Sequence, residues 1–216
     1  MKHGFVAVAA VVAVLATNAA SAEGMAGNVQ FLIGQTYLED FWEPIDEPAS
    51  FGVEVDFAPA TSPVHVALGM NGGADSQSIP GVLFGQTGKV TAGFLEFSAG
   101  FVWHPVKKAV VRPYLGAGVL RIFTGIGRDS DFWSGGESDQ SFGFYGNAGV
   151  FFKVGDSFNI GIDGRIVRGT SITLAGFEGD IDYGQVNLLI GFSFGGPSTQ
   201  APAQEPPPAE PPEEED

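Results

Sequence analysis

The chain has 216 residues, no cysteine, 32 glycines and 19 phenylalanines, and its 10 Lys and Arg stand against 25 Asp and Glu for a formal net charge of −15. A disulfide framework and a thiolate zinc site are excluded, and the acidity argues against a nucleic-acid partner, whose phosphates would repel it. At 44% hydrophobic the chain is too apolar to be disordered throughout, and its abundant glycine and phenylalanine point to closely packed β-structure.

The first element is a leader. Lys2 and His3 open the chain, an apolar run follows from Phe5 to Ala16, and Ala20-Ser21-Ala22 supplies small residues ahead of Glu23. The run is 12 residues long, where a spanning helix needs about 20. Residues 1–22 are therefore expected to be a cleaved signal peptide.

Between Glu23 and Phe194 the hydrophobic period is two, which marks strands. The first strand, Val29 to Tyr37, places Val29, Phe31 and Ile33 on one face, with Leu32 breaking the pattern. The second alternates Phe51, Val53, Val55 and Phe57 with Gly52, Glu54, Asp56 and Ala58. The third alternates Val64, Val66, Leu68 and Met70 with His65, Ala67, Gly69 and Asn71. The fourth sets Leu95, Phe97, Ala99, Phe101 and Trp103 against Glu96, Ser98, Gly100 and Val102. In the fifth, Leu115, Ala117 and Val119 oppose Gly116 and Gly118. Apolar stripes then run through Phe142, Phe144, Ala148, Val150 and Phe152, through Phe158, Ile160, Ile162 and Ile166, and through Val186, Leu188, Ile190, Phe192 and Phe194.

Eight strands follow from this count, and their joints alternate. Short ones lie at 59–63, 104–110 and 154–157, and long polar ones at 38–50, 71–89, 122–140 and 168–183. In an up-and-down antiparallel sheet all the long loops then share one end. From Gly195 the composition changes: 7 of the last 22 residues are proline and 6 are acidic. That segment, 195–216, is expected to be a disordered extended tail, either a docking spacer or a plain linker.

An amphipathic eight-stranded sheet can close with its apolar face inward, as a soluble lipocalin-like carrier, or outward into lipid. The less apolar face decides. It carries Gly52, Gly69, Gly100, Gly116, Gly118, Gly143, Gly149, Gly161 and Gly191, with Asn147, Asn159 and Asn187. Glycine contributes nothing to a solvent-facing strand, whereas an eight-stranded interior has room mainly for small side chains. The expected fold is all-β: a closed eight-stranded antiparallel up-and-down transmembrane barrel over residues 23–194, with the phenylalanines outside. Trp103, Tyr114, Phe158, Phe192 and Phe194 are assigned to an aromatic belt at the turn end, and Tyr37 and Phe51 to one at the loop end.

Three features of the sequence are similar to the small outer-membrane barrels of the OmpA transmembrane domain, OmpX and OmpW kind. These are the leader followed by eight alternating strands, the segment Arg112-Pro-Tyr-Leu-Gly-Ala-Gly-Val119, and the closing strand Asn187-Leu-Leu-Ile-Gly-Phe-Ser-Phe194 with alternating terminal aromatics. Two departures stand out: Leu189 occupies the position usually held by glycine, and the acidic tail follows the final aromatic. That tail resembles the linker that joins OmpA barrels to a peptidoglycan-binding domain. The resemblance implies a protein of the outer membrane of a bacterium with two membranes, loops outside the cell, turns and tail periplasmic. It implies contact with lipid and lipopolysaccharide, recognition of the last strand by the barrel-insertion machinery, and a periplasmic partner for the tail.

Inside the barrel the alternation places Glu54, Asp56, His65, Glu96, Asp163 and Arg165, with Lys153 near the rim. Glu96 and Arg165 fall at the same height, and Asp56 falls opposite His65 through the tight turn. This network reads either as a static polar core or as a gate that re-pairs to open a water path. Asp56, His65 and Ser193 have the residue types of a hydrolytic triad, but at the periplasmic rim, far from an outer-leaflet lipid. No catalytic, cofactor or metal site is expected. The loop sequence Asp129-x-Asp131 begins like a calcium loop and fails at Trp133 and Gln140. The other acidic loop residues read as solvated or as bridging to lipopolysaccharide, while Phe41, Trp42, Phe132 and Trp133 suggest packing over the mouth or a contact surface. The function expected is structural or surface-interacting, with a narrow transporter for small or apolar solutes as the alternative; a lipid-modifying enzyme and a soluble carrier rank below both.

Overall fold

A computed structural model of the chain describes residues 24–38, 47–83, 86–106, 109–128, 137–174 and 177–195. The leader 1–22, the tail 196–216 and the aromatics Phe41, Trp42, Phe132 and Trp133 lie outside the described residues.

Eight strands close into one antiparallel barrel. They are β1 (Met25–Leu38), β2 (Ala49–Pro59), β3 (Val64–Leu83), β4 (Gln86–Trp103), β5 (Val111–Arg128), β6 (Glu137–Val154), β7 (Phe158–Arg168) and β10 (Tyr183–Gly195). Each pairs with its chain neighbours, and β1 pairs with β10 to complete the ring. A two-stranded hairpin, β8 (Ser171–Leu174) with β9 (Phe177–Asp180), sits in the last connection. Ring closure leaves no unpaired edge, so the backbone groups of the wall are satisfied without water, as a bilayer interior demands.

The shortest wall strands have 11 residues. At about 3.3 Å per residue and a tilt near 45°, each rises about 26 Å, the height of the apolar band of a membrane barrel. Strands β3 to β6 have 18 to 20 residues and overshoot that height at the loop end. This corrects the expected loops. Residues 71–83 and 86–89 are a continued β3–β4 ladder, in register from Val64↔Trp103 to Ile79↔Gly88. Ile122–Arg128 and Glu137–Gln140 likewise extend β5 and β6. In β3 the buried face ends at Gly73 and residues 74–78 are exposed or half-exposed, so hydrophobic alternation disappears there while the backbone pairing continues.

The wall is inverted relative to a soluble barrel. Phe31, Ile33, Phe51, Phe97, Phe101, Leu115, Val119, Phe142, Phe144, Ile162, Ile166 and Val186 are exposed, Phe142 and Phe144 at 69% and 68%. Glu54, Asp56, Glu96, Asp163 and Arg165 are each at most 4% exposed. Val55 shares the outward face of Phe51, Val53 and Phe57 but is buried between Val29 and Leu68 in the ladder. Leu32, which broke the pattern of the first strand, faces inward and lies opposite Leu189 at the β1–β10 closure.

The interior packs by pairing large with small. A Cβ on Gly149 would meet the Tyr114 hydroxyl at 2.4 Å, and one on Gly118 would meet the Tyr145 ring at 2.7 Å. Asn71 stands over Gly52 and Asn147 over Gly116 in the same way. The glycines thus form the sockets of the larger lumen side chains. Two apolar layers bracket the polar middle. Leu32, Ala67, Val102, Tyr114, Phe151 and Leu189 form the one toward the turns. Phe94, Leu120, Ile122, Tyr145, Val167, Ile172, Ile181 and Tyr183 form the one toward the loops.

The aromatic belt is corrected at one position. Trp103 and Phe192 are outward at 46% and 50% exposure, and Phe192 meets Phe158 edge-on at 5.6 Å. Phe194 is half-buried, its ring end 2.6 Å from where a Gly27 Cβ would sit. Tyr114 is 2% exposed and points into the lumen. It shares its face with Gly116 and Gly118, so strand alternation directs it inward despite its place near the turn end.

Candidate functional site

The lumen is the place where chemistry-bearing side chains converge, and it divides into three levels. At the turn end stands Asp56. Its carboxylate accepts from Asn28 Nδ2 at 2.9 and 3.0 Å and from Gln30 Nε2 at 3.0 Å. His65 Nδ1 lies 2.5 Å from Asp56 Oδ1, and His104 Nε2 lies 3.5 Å from the same oxygen. The two imidazole rings are 4.6 Å apart, edge to face. The ladder partner of Asp56 is Ala67, and His65 lies one inward position nearer the turn. The expected direct opposition is therefore a diagonal contact, which a side chain as long as histidine spans.

Ser193 belongs to this level and does not complete a triad. Its hydroxyl donates to Asn28 Oδ1 at 2.8 Å and accepts from Asn159 Nδ2 at 2.7 Å. Lys153 pairs with Asn159 at the rim and is half-buried.

The middle level holds three carboxylates and one guanidinium. Asp163 accepts from the Tyr114 hydroxyl at 2.6 Å, from Asn147 Nδ2 at 3.2 Å and from Asn187 Nδ2 at 3.4 Å. Arg165 donates from Nη2 to Glu96 Oε1, and the Tyr183 hydroxyl donates to Glu96 Oε2. The Arg165 guanidinium carbon lies 3.9 Å from the Tyr145 ring centroid. Glu54 makes no hydrogen bond among the described residues; it feels the charge of Arg165 and the repulsion of Asp56, Asp163 and Glu96. Arg165 is the cation that Glu54, Glu96 and Asp163 share.

The loop-end level is an amide and hydroxyl relay beneath an apolar layer. Asn71 donates to Gln185 at 3.0 Å, and Gln185 donates to Thr36 at 2.9 Å. Above them Ile172 of β8 and Ile181, just after β9, pack into the apolar layer with Phe94 and Tyr183. The hairpin is pinned to β6: Thr173 N–H donates to Asp139 Oδ2 at 2.7 Å and Ser171 N–H donates to Ser141 Oγ at 3.0 Å, while Arg168 pairs with Asp182 at 3.7 Å beside it. The cavity beside this plug holds about 10 Å³, bounded by Phe94, Thr124 and Ile181 among others, about the space of a single water.

All six network residues read from the sequence are therefore interior, and Arg165 meets Glu96 directly. Several partners escaped the reading: His104, Tyr114, Tyr145, Tyr183, Asn28 and Gln30. The signal for some of them was present. His104 continues the inward face of Glu96, Ser98, Gly100 and Val102, and Tyr145 shares the face of Gly143 and Asn147.

No protein-family model matches the sequence, and no curated protein matches it. Solved structures do. Neisserial surface protein A (NspA) is 12% identical, with TM-score 0.53 over 79% of this chain and 97% of that one. The outer membrane protein OprG from Pseudomonas aeruginosa is 15% identical, with TM-score 0.52 over 79% and 94%. Ail, the attachment invasion locus protein of Yersinia pestis, is 16% identical, with TM-score 0.51 over 80% and 100%. At these identities the fold is what is shared: the chain has the architecture of the eight-stranded outer-membrane barrels.

Proposed function

We propose that the protein is an integral barrel of the bacterial outer membrane with a structural or surface-presenting role, neither an enzyme nor an open pore. One observation carries the reading. An exterior of exposed phenylalanine, isoleucine and valine surrounds a lumen filled by a paired polar network and two apolar layers. The exterior suits lipid and no other solvent. Apolar layers stand at both ends of the polar lumen: Tyr114 and Phe151 stack at 4.6 Å toward the turns, and Ile172 and Ile181 sit toward the loops. What the molecule offers its surroundings is then its wall and its raised β-hairpins. Lipid and lipopolysaccharide are the partners of the wall, the barrel-insertion machinery is the partner of β10, and a periplasmic component is the partner of the acidic tail.

Single-channel recording on the refolded full chain tests this. The expected trace is closed, with rare brief events. A large, stable, open conductance at neutral pH would overturn the proposal. The narrow-transporter alternative has one feature in its favour, a groove of about 610 Å³ on the outer wall along Pro113, Leu115, Ala148, Val150, Ile162 and Gly164, backed by Tyr114. Solute passage there requires Tyr114 to leave Asp163, so the Tyr114→Ala variant would conduct where the parent does not.

A further inference from the structure

The chain has three histidines. His3 lies in the expected leader, and the other two, His65 and His104, reach the same carboxylate from β3 and from the turn after β4. The geometry points to a binding site for one divalent transition-metal ion of the zinc class at the turn end of the lumen, with Asp56, His65 and His104 as its protein ligands.

Four observations converge. One candidate ligand atom from each residue lies within 4.8 Å of the others. Zinc bonds of about 2.0–2.2 Å set tetrahedral donors roughly 3.5 Å apart, so loading needs a contraction of about an ångström. All three residues are at least nine-tenths buried, at 0%, 5% and 6% exposure. Nε2 of His65 and Nε2 of His104 are both buried without a hydrogen bond, the latter 3.5 Å from Asp56 Oδ1, and two imidazole nitrogens beside a carboxylate are the donor set that borderline ions prefer. Finally, Asp56 is positioned independently of the imidazoles, by Asn28 and Gln30. Such outer contacts orient a ligating carboxylate.

Charge argues the same way. Asp56 is fully buried and its amide neighbours are neutral. A buried carboxylate needs a compensating positive charge. A divalent ion supplies that charge and uses the imidazole lone pairs. The competing arrangement is a proton shared within a closed His–Asp–His cluster.

The experiment uses the full chain without an added histidine tag, refolded in detergent, treated with chelator and titrated with Co(II), then with Zn(II). The expected result is one equivalent of Co(II) giving the intense visible bands of a four- or five-coordinate ion, displaced by Zn(II). His65→Gln and His104→Gln should each weaken binding by about 10–100-fold or more, given that even outer-shell losses reach that range. Heat-modifiable gel migration reports folding of each variant. A cobalt spectrum that stays six-coordinate, or binding unchanged in the His65→Gln/His104→Gln variant, would overturn the site and leave the shared-proton cluster. Should a variant not refold, Cu(II) resonance on the parent chain decides: nitrogen hyperfine structure from two imidazoles supports the site, and its absence overturns it.

Discussion

Arg165 donates to Glu96 across the barrel axis, joining β7 to β4. The guanidinium also lies over the Tyr145 ring and is the cation for Glu54 and Asp163. Its removal leaves the buried acidic side chains Glu54, Glu96 and Asp163 without the cation they share, and Glu96 without its direct partner. Arg165→Met should lower the unfolding free energy by about 3–5 kcal/mol, the cost of breaking one side of a buried pair. Combining it with Glu96→Leu should recover part of that loss, because one uncompensated charge goes too. Urea titration of the refolded barrel, followed by tryptophan fluorescence, measures both. Equal stability of Arg165→Met and the parent would contradict a structural role for the pair.

Gly149 and Gly164 of the wall differ in direction and in the space around them. Gly149 points inward, where a Cβ would collide with Tyr114 at 2.4 Å and with the Ile162 carbonyl at 2.6 Å. Gly164 points outward and a Cβ there meets nothing closer than 3.8 Å. Gly149→Ala should cost about 1–3 kcal/mol by overpacking, and Gly164→Ala should be neutral or stabilising by up to about 1 kcal/mol through the unfolded chain. Unfolding midpoints of the two variants, compared in one detergent, check the contrast.

Much of this architecture was legible because a membrane barrel writes itself in period two. The apolar stripes of Phe97, Phe101 and Trp103 and of Ile160, Ile162 and Ile166 located both the strands and their faces. The signal failed in two places for physical reasons. Above the bilayer, Ala74 to Ser78 is exposed or half-exposed on both faces, so nothing in its sequence separates an extended ladder from a loop. Within the lumen, alternation says that Tyr114 and His104 point inward but not what they meet. The convergence of His104 on Asp56 spans 48 positions and depends on barrel closure, and no sequence spacing encodes it. Assigning Tyr114 to the belt weighed residue type over alternation, and alternation prevailed.

Direction of the wall can be tested by charge. Ile162 is 55% exposed and mid-strand, paired with Val150 and Leu188. Ile162→Arg should destabilise the barrel by about 2–4 kcal/mol, the cost of an arginine near the bilayer midplane. Tyr37→Arg, at the loop-end rim and 48% exposed, should cost no more than about 1 kcal/mol. Reversible folding into phospholipid vesicles gives both values. Similar costs at the two positions would mean that the outward face is not embedded in lipid.

The loop-end hairpin should respond to acid through Asp139, which stands near the top of β6 beyond the apolar band. The amides of Thr173 and Gln140 donate to its two oxygens at 2.7 and 2.8 Å and hold its carboxyl below the usual carboxylate range. A group depressed in the folded state stabilises above its unfolded value and loses that contribution as pH falls through the folded one. Docking of β8 onto β6 is therefore expected to be constant at neutral pH and to weaken only in the strongly acidic range, below the titration of an ordinary aspartate. The amide resonance of Thr173, followed by NMR in micelles between neutral and acidic pH, should shift with a midpoint below that of a free aspartate. Asp139→Asn should abolish the transition and expose that amide to faster exchange with solvent. A Thr173 resonance that ignores pH in the parent chain, or a transition that survives in Asp139→Asn, would detach the hairpin from this carboxylate.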